Sequence, residues 1–160
     1  DNFYDNLIKA APMHDLGKIA IPDNILRKPE RFTQEEFEEM KMHSQEGARI
    51  VQNVLKEVDD EELKKVVTNV AHYHHERWDG TGYPKKLKGK EIPLEARIMT
   101  LVDVFDALVS KRCYKEAYSF EKAKTIMESS LGEMFDPELG KVFINSWDEF
   151  VTLYKTMKIN

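Results

Sequence analysis

The sequence predicts an all-α bundle of six or seven helices. Three observations carry that prediction. Apolar residues recur three and four positions apart in segment after segment, the period of a helix with one buried face. Side chains that cap helix N-termini stand before several of these runs, at Thr33, at Asp59 or Asp60, at Ser119 and at Asp136. No series of short alternating runs reads as strands, and no internal repeat or low-complexity tract interrupts the pattern.

Phe3, Leu7, Ile8 and Ala11 set the first helix, which leads into His14. Asp15-Leu16-Gly17-Lys18 reads as its end, with Gly17 as the stop. Ile19 to Ile25 is short, apolar and broken by Pro22, and Lys28-Pro29 marks a turn. Thr33-Gln34-Glu35-Glu36 is a capping box, since Thr33 can take one free amide while Glu36 reaches back. The helix it opens runs through Phe37, Met40, His43, Ala48, Val51 and Leu55. The next carries Leu63, Val66, Val67, Val70 and Ala71 and ends in His72-Tyr73-His74-His75-Glu76. A long loop, 77–93, holds Gly80, Gly82 and Gly89. Pro93-Leu94 restarts a helix with Ile98, Leu101, Val102, Phe105, Leu108 and Val109 as core positions. Ser119 caps a helix through Met127. Asp136 before Pro137 joins an N-cap to proline at the first helical position. The last helices carry Val142, Phe143, Phe150, Val151 and Tyr154, and positions after Phe150 could pack on this chain or on a partner.

Composition sets the limits. At 160 residues, with 41% hydrophobic and 33% charged, the chain suits one folded domain with a core of its own. The single cysteine, Cys113, excludes an internal disulfide and a cysteine-built zinc site, and fits a reducing cytoplasm. No apolar run approaches the roughly 20 residues of a membrane span. A net charge of −5 argues against a duplex nucleic acid partner. It leaves room for a small anion held by local cations or metals. The first residue is Asp1, with no leading methionine, so a fragment of a longer protein is expected.

The five histidines sit in informative company. His14-Asp15 and His74-His75 stand at helix ends, and His43 lies mid-helix. Asp103 sits in the most apolar helix, where an unpaired carboxylate would cost several kcal/mol. A divalent ion with mixed imidazole and carboxylate ligands, such as Mn²⁺, Fe²⁺ or Mg²⁺, would satisfy it. Adjacent ligands on a helix diverge by about 100° and so suit two neighbouring ions, with Asp15 as the bridge. Two close metals favour in-line attack on a phosphate. The same histidines could equally be ordinary polar or core residues. In the loop, Gly80 and Gly82 permit positive φ and close backbone approach, and Trp78 and Tyr83 offer faces on which a base could stack. The plain alternative is a turn.

The string His14-Asp15-Leu16-Gly17-Lys18, His43, His74-His75-Glu76-Arg77-Trp78-Asp79-Gly80 and Gly82-Tyr83-Pro84 resembles the HD-GYP family. Ile92 to Ile98, Asp103 to Leu108, Arg112-Cys113-Tyr114 and Phe135-Asp136-Pro137 extend the resemblance over essentially the whole chain. It implies one HD-GYP domain over 1–160, a helical branch of the HD superfamily, with 77–93 as its glycine-rich loop. Active members are cytoplasmic bacterial phosphodiesterases that open cyclic di-GMP to pGpG and, in many cases, GMP.

The resemblance implies two or three divalent metals, iron or manganese first, with magnesium, nickel or zinc as alternatives. The implied ligands are His14, Asp15, His43, His74, His75 and Asp103, with Asp15 bridging. Lys18 would support charge on the scissile phosphate. Arg112 and Lys115 would face substrate phosphates, and Gly82 and Tyr83 would lie beside a guanine. His72 matches no ligand, and Asp106 would orient a histidine or a substrate-side cation. Trp78 is expected to pack in the core.

Two positions depart from the family pattern. No His or Glu precedes His14, whereas family domains begin with a helix that carries a further metal-ligating His. That helix lies upstream of this chain or is missing. Cys113 stands where the family usually has proline, in the turn that holds Arg112. The departure upstream keeps a second function open, a degenerate module that binds a cyclic dinucleotide or a partner signalling protein without hydrolysis. A mixed cyclic GMP-AMP substrate also stays open. A fused upstream sensor or receiver domain is the expected regulatory partner, and no membrane contact is expected.

Overall fold

The computed structural model describes residues 2–112 and 115–159, so Cys113 and Tyr114 lie outside the described residues. Among these there are eight α-helices and no strand: α1 (Asn2–Ala10), α2 (Asp23–Leu26), α3 (Gln34–Val54), α4 (Glu61–Tyr73), α5 (Leu94–Val109), α6 (Phe120–Ser129), α7 (Pro137–Asn145) and α8 (Trp147–Ile159). The all-α expectation holds. The helix beyond the expected number is the four-residue α2. Pro22, read as a break, begins it instead: its carbonyl accepts from the amides of Ile25 and Leu26 at 3.0 and 2.9 Å. A proline ring pre-sets φ for such a start, and its missing N–H is not needed there.

The caps form as expected. Asp60, rather than Asp59, accepts from Leu63 N at 2.9 Å, and Ser119 accepts from Lys122 N at 3.2 Å. Asp136 accepts from the amides of Glu138 and Leu139 and pairs with Arg97 at 2.6 Å. Thr33 Oγ1 accepts from Glu36 N at 3.2 Å while Glu36 Oε2 accepts from Thr33 N at 2.8 Å. Thr33→Ala should therefore cost about 1 kcal/mol and lower Tm by roughly 2–4 °C. A thermal melt of that variant that overlays the parent would mean that the Lys28–Glu36 pair, 2.6 Å long, holds the helix start alone.

The segment before α2 departs from expectation. The first helix stops at Ala10, because Pro12 has no N–H to donate to the turn before it. The chain then winds through two 3-10 turns, Ala11–Met13 and Leu16–Ala20, with His14 and Asp15 between them. Gly17 is not a helix stop. It lies inside the second turn, where an added Cβ would stand 1.7 Å from His43 O and 2.5 Å from Gly47 N. Glycine is there so that this turn can lie directly on the backbone of α3.

Two apolar clusters hold the bundle. Ala10, Val51, Val66, Val67, Val70, Ala71 and Met99 bury together from α1, α3, α4 and α5. Leu101, Phe105, Val109, Ala123, Met127, Phe135, Phe143 and Trp147 form the second, which joins α5 to α6, α7 and α8. Helix α5 thus belongs to both. Leu101, Phe105 and Val109 recur every four residues along one ridge, and Val102 falls beside it, 40% exposed rather than in the core. Ile98 and Leu108 are half-buried, and so is Trp78. Phe150, Val151 and Tyr154 pack on the second cluster of this same chain. Among the described residues no helix is long and apolar enough to cross a membrane.

Candidate metal centre

Four elements converge on one point. The turn after α1 brings His14 and Asp15, α3 brings His43, the C-terminal end of α4 brings His74 and His75, and α5 brings Asp103. Asp15 stands in the middle. Its Oδ1 lies 3.5 Å from His43 Nε2 and 3.4 Å from His74 Nε2. Its Oδ2 lies 3.1 Å from both His14 Nε2 and Lys18 Nζ. His14 Nε2 also stands 3.2 Å from Asp103 Oδ1. The donor atoms fall into two groups, Asp15 with His43, His74 and His75, and His14 with His74 and Asp103, each within 4.8 Å. Ligands of a first-row divalent ion sit about 2.0–2.2 Å from it, hence roughly 3–3.5 Å from one another. The pairs around Asp15 and His14, at 3.1–3.5 Å, match that spacing.

Three histidines are oriented by one device. His14 Nδ1 meets Ala11 O at 2.6 Å, His43 Nδ1 meets Met40 O at 2.6 Å, and His74 Nδ1 meets Val70 O at 2.9 Å. A carbonyl can only accept, so each Nδ1 donates and each Nε2 is the atom left for the centre. His43 Nε2, His74 Nε2 and Asp15 Oδ1 are buried without a hydrogen-bond partner. An orphaned buried polar atom costs about 1–3 kcal/mol. Three of them turned on one point fit a cation better than they fit a protein core.

Electrostatics agrees. Burial pushes His43 and His75 down, toward the neutral form that ligates metals. Burial alone would raise Asp15, but the neighbouring His14, His74 and Lys18 hold it well below the usual carboxylate range. Burial also disfavours a charged His14, yet the Asp103 and Asp15 carboxylates outweigh it and hold His14 up at about 10. Between these two anions His14 carries a proton on Nε2, the place a divalent ion would take, and that proton must leave for the ring to ligate.

A cavity of about 230 Å³ opens on the centre, lined by Asp15, Lys18, His75, Asp103, Arg112 and Lys115. Three cations therefore gather here in a chain of net charge −5. Arg112 and Lys115 are held together by two backbone bonds, of 2.9 and 3.2 Å. The expectation for Cys113 falls outside the described residues. Asp106 is an exposed partner of Arg112 at 3.9 Å and of Ser110, and stands on the cation side rather than on a histidine. His72 stacks on Tyr73 and belongs to neither donor group.

The glycine loop borders a larger adjoining cavity, about 850 Å³, through Gly82 and Tyr83. Gly80 uses its freedom for a φ of +83°, whereas Gly82 is needed for space: a Cβ would stand 2.4 Å from Arg77 N and 2.5 Å from His75 O. Tyr83 stacks on His75, centroids 4.9 Å apart, and burial with the two site carboxylates pushes its phenol up, so it stays neutral. Trp78 does not line either cavity. A residue that sequence reasoning passed over is Glu76. Its carboxylate, 2% exposed, accepts from Lys85 N at 2.6 Å and Leu87 N at 3.1 Å and pins the loop to the end of α4. Only its place beside the histidine pair hinted at it.

Comparison with known proteins follows the same lines. The family described as HD domain matches residues 2–139. A cyclic di-GMP phosphodiesterase of Vibrio cholerae is 42% identical over 151 residues, which is 94% of this chain and 31% of that protein. A cyclic di-GMP phosphodiesterase of Thermotoga maritima is 42% identical over 149 residues, 93% of this chain and 39% of its own length. A 3'3'-cGAMP-specific phosphodiesterase of Vibrio cholerae is 38% identical over 149 residues, 93% of this chain and 28% of its own length. The chain thus spans about a third of the length of these relatives.

Proposed function

The chain belongs to the HD domain family, in its HD-GYP branch, and from that premise we propose that residues 1–160 form the catalytic domain of a metal-dependent phosphodiesterase that opens cyclic di-GMP to pGpG or GMP. The observation that carries the reading is the convergence of Asp15 and two donor groups on one point beside a cavity rimmed by three cations. Asp15, His43, His74 and His75 would hold one divalent ion, and His14, Asp103 and Asp15 a second, with iron or manganese suited to this mixture of imidazole and carboxylate. A third ion would need ligands from elsewhere. Bound there, the ions would activate water near neutral pH and neutralise phosphate charge.

The chain's own groups do the rest. Lys18, held 3.1 Å from Asp15, presents an ammonium to the scissile phosphate and offsets charge that grows as the bond to the leaving oxygen breaks. Arg112 and Lys115 hold the phosphates at the cavity mouth, the Arg112 fork fixing orientation and Lys115 acting as a point charge. Tyr83 and the close-packed Gly82 border the space for a base. The reaction belongs in the cytoplasm, and an upstream sensor or receiver domain would supply control.

The test joins metal content to product identity. Protein purified without oxygen or chelator should carry at least two equivalents of iron or manganese by mass spectrometry, and should convert cyclic di-GMP faster than 3'3'-cGAMP. A metal-free protein that forms no linear product in added Mn²⁺ or Fe²⁺ would overturn the reading.

A further inference from the structure

Phe37 is an aromatic that the core does not absorb. It follows the apolar series of α3, yet it is 41% exposed. It lines two cavities at once. The cavity of about 850 Å³ beside Tyr83 and Lys41 reaches the centre at His75 and Asp103. A second, of about 800 Å³, passes Phe32 and Met40 and reaches the cation rim at Lys18, Arg112 and Lys115. Both therefore share residues with the smaller cavity that opens on the centre. The Phe37 ring stands between two lobes, each roomier than a purine, that meet at one place suited to a phosphate. Lys41 Nζ lies over the ring at 5.1 Å, and Tyr83 meets it edge-on with centroids 6.2 Å apart, so its orientation is set.

A simple phosphodiester needs no such division, and a mononucleotide needs one lobe. A cyclic dinucleotide carries two bases on a ring of two riboses joined by two phosphates. We propose that Phe37 is the stacking platform that parts the two purines of a cyclic dinucleotide, and that it selects two-base substrates over simple phosphodiesters. The proposal rests on the phosphodiesterase reading above. Stacking on an aromatic face tolerates any base, so the platform selects the number of bases rather than their identity.

A structural role competes with this one. Phe37 lies at the fourth helical position and Phe32 just before the Thr33 cap, the two places of a hydrophobic staple. A staple asks only for apolar bulk, whereas a platform needs a flat π face. Phe37→Leu keeps the bulk and loses the face, and Phe37→Trp keeps the face. The binding probe is the phosphorothioate analogue of cyclic di-GMP on metal-loaded protein, read by calorimetry. Kd should weaken about tenfold or more in Phe37→Leu and recover in Phe37→Trp. The ratio of kcat/KM for cyclic di-GMP to that for bis(4-nitrophenyl) phosphate, which has no base, should fall by the same factor in Phe37→Leu. Unchanged Kd and an unchanged ratio in Phe37→Leu would overturn the platform. Cyclic di-GMP bound but left intact by the unaltered protein would sink the phosphodiesterase reading, and the Leu-to-Trp difference in Kd would then still uphold the platform.

Discussion

Asp15→Ala should empty the centre of metal and lower turnover of cyclic di-GMP by roughly three orders of magnitude, the several kcal/mol that bound metals contribute to such a transition state. Asp15 turns both of its oxygens on the centre. Oδ1 stands among the Nε2 atoms of His43 and His74, and Oδ2 beside His14 and Lys18. Removing the carboxylate breaks the donor group of His43, His74 and His75, takes away the oxygen beside His14 of the other, and releases Lys18 from its position. The fold should survive, because Asp15 makes no side-chain cap to the 3-10 turn that follows it. Asp15→Asn is the finer probe. It keeps the shape but turns one oxygen into an N–H donor and removes the charge, so it should also fail to hold two ions. Metal content and a circular dichroism spectrum would be taken on the same sample. Native metal occupancy in Asp15→Ala, or turnover within tenfold of the parent, would remove Asp15 from the centre.

Gly17→Ala should cost about 3 kcal/mol or more, or roughly 6–12 °C in Tm, with the low end set by how far two backbones can move apart. The atoms an added methyl would meet are His43 O at 1.7 Å and Gly47 N at 2.5 Å. Both belong to the main chain of α3, and no rotamer relieves the clash. The displaced turn, Leu16–Ala20, follows directly on His14 and Asp15, so metal affinity should fall with stability. Gly47→Ala is the internal control. Its nearest contact would be 3.3 Å, tighter than usual but open to a shift of a few tenths of an ångström. Thermal melts should rank the parent, Gly47→Ala and Gly17→Ala in descending order. A Gly17→Ala protein that melts with the parent would show that the turn does not need its seat on α3.

What could be read in advance was governed by chemistry over short stretches of chain. The caps at Thr33, Asp60, Ser119 and Asp136 are bonds between residues two or three apart, and each forms as its sequence indicates. The six residues that meet at the centre, Asp15 included, are all indicated by their neighbours in sequence and by the family resemblance. The misses share a different origin. Gly17 read locally as a helix stop, while its reason lies on α3, 26 residues away at His43. Val102 obeys helical periodicity, but which side of a helix is covered depends on neighbours that periodicity does not locate. Pro22 was read as a break because its ring forbids a helix interior, and the structure uses it at a helix start. The direction in which His14, His43 and His74 turn their rings was equally out of reach, since it depends on a carbonyl one turn back and on what lies beyond.

The double membership of α5 has a consequence for how this molecule comes apart. Met99 anchors the helix in one apolar cluster, while Leu101, Phe105 and Val109 anchor it in the other. Each cluster is a candidate cooperative unit with its own opening free energy. Helix α5 is the seam, and its amides are exposed only when both units have opened. Asp103 rides on that seam, whereas the other five residues of the centre, Asp15 among them, come from the unit built on α1, α3 and α4. Fluctuations of the α6–α8 unit therefore reach the centre by two routes, through Asp103 on the seam and through the 77–93 loop, where the Trp78 and Asp79 amides donate to Met134 O and Glu133 O.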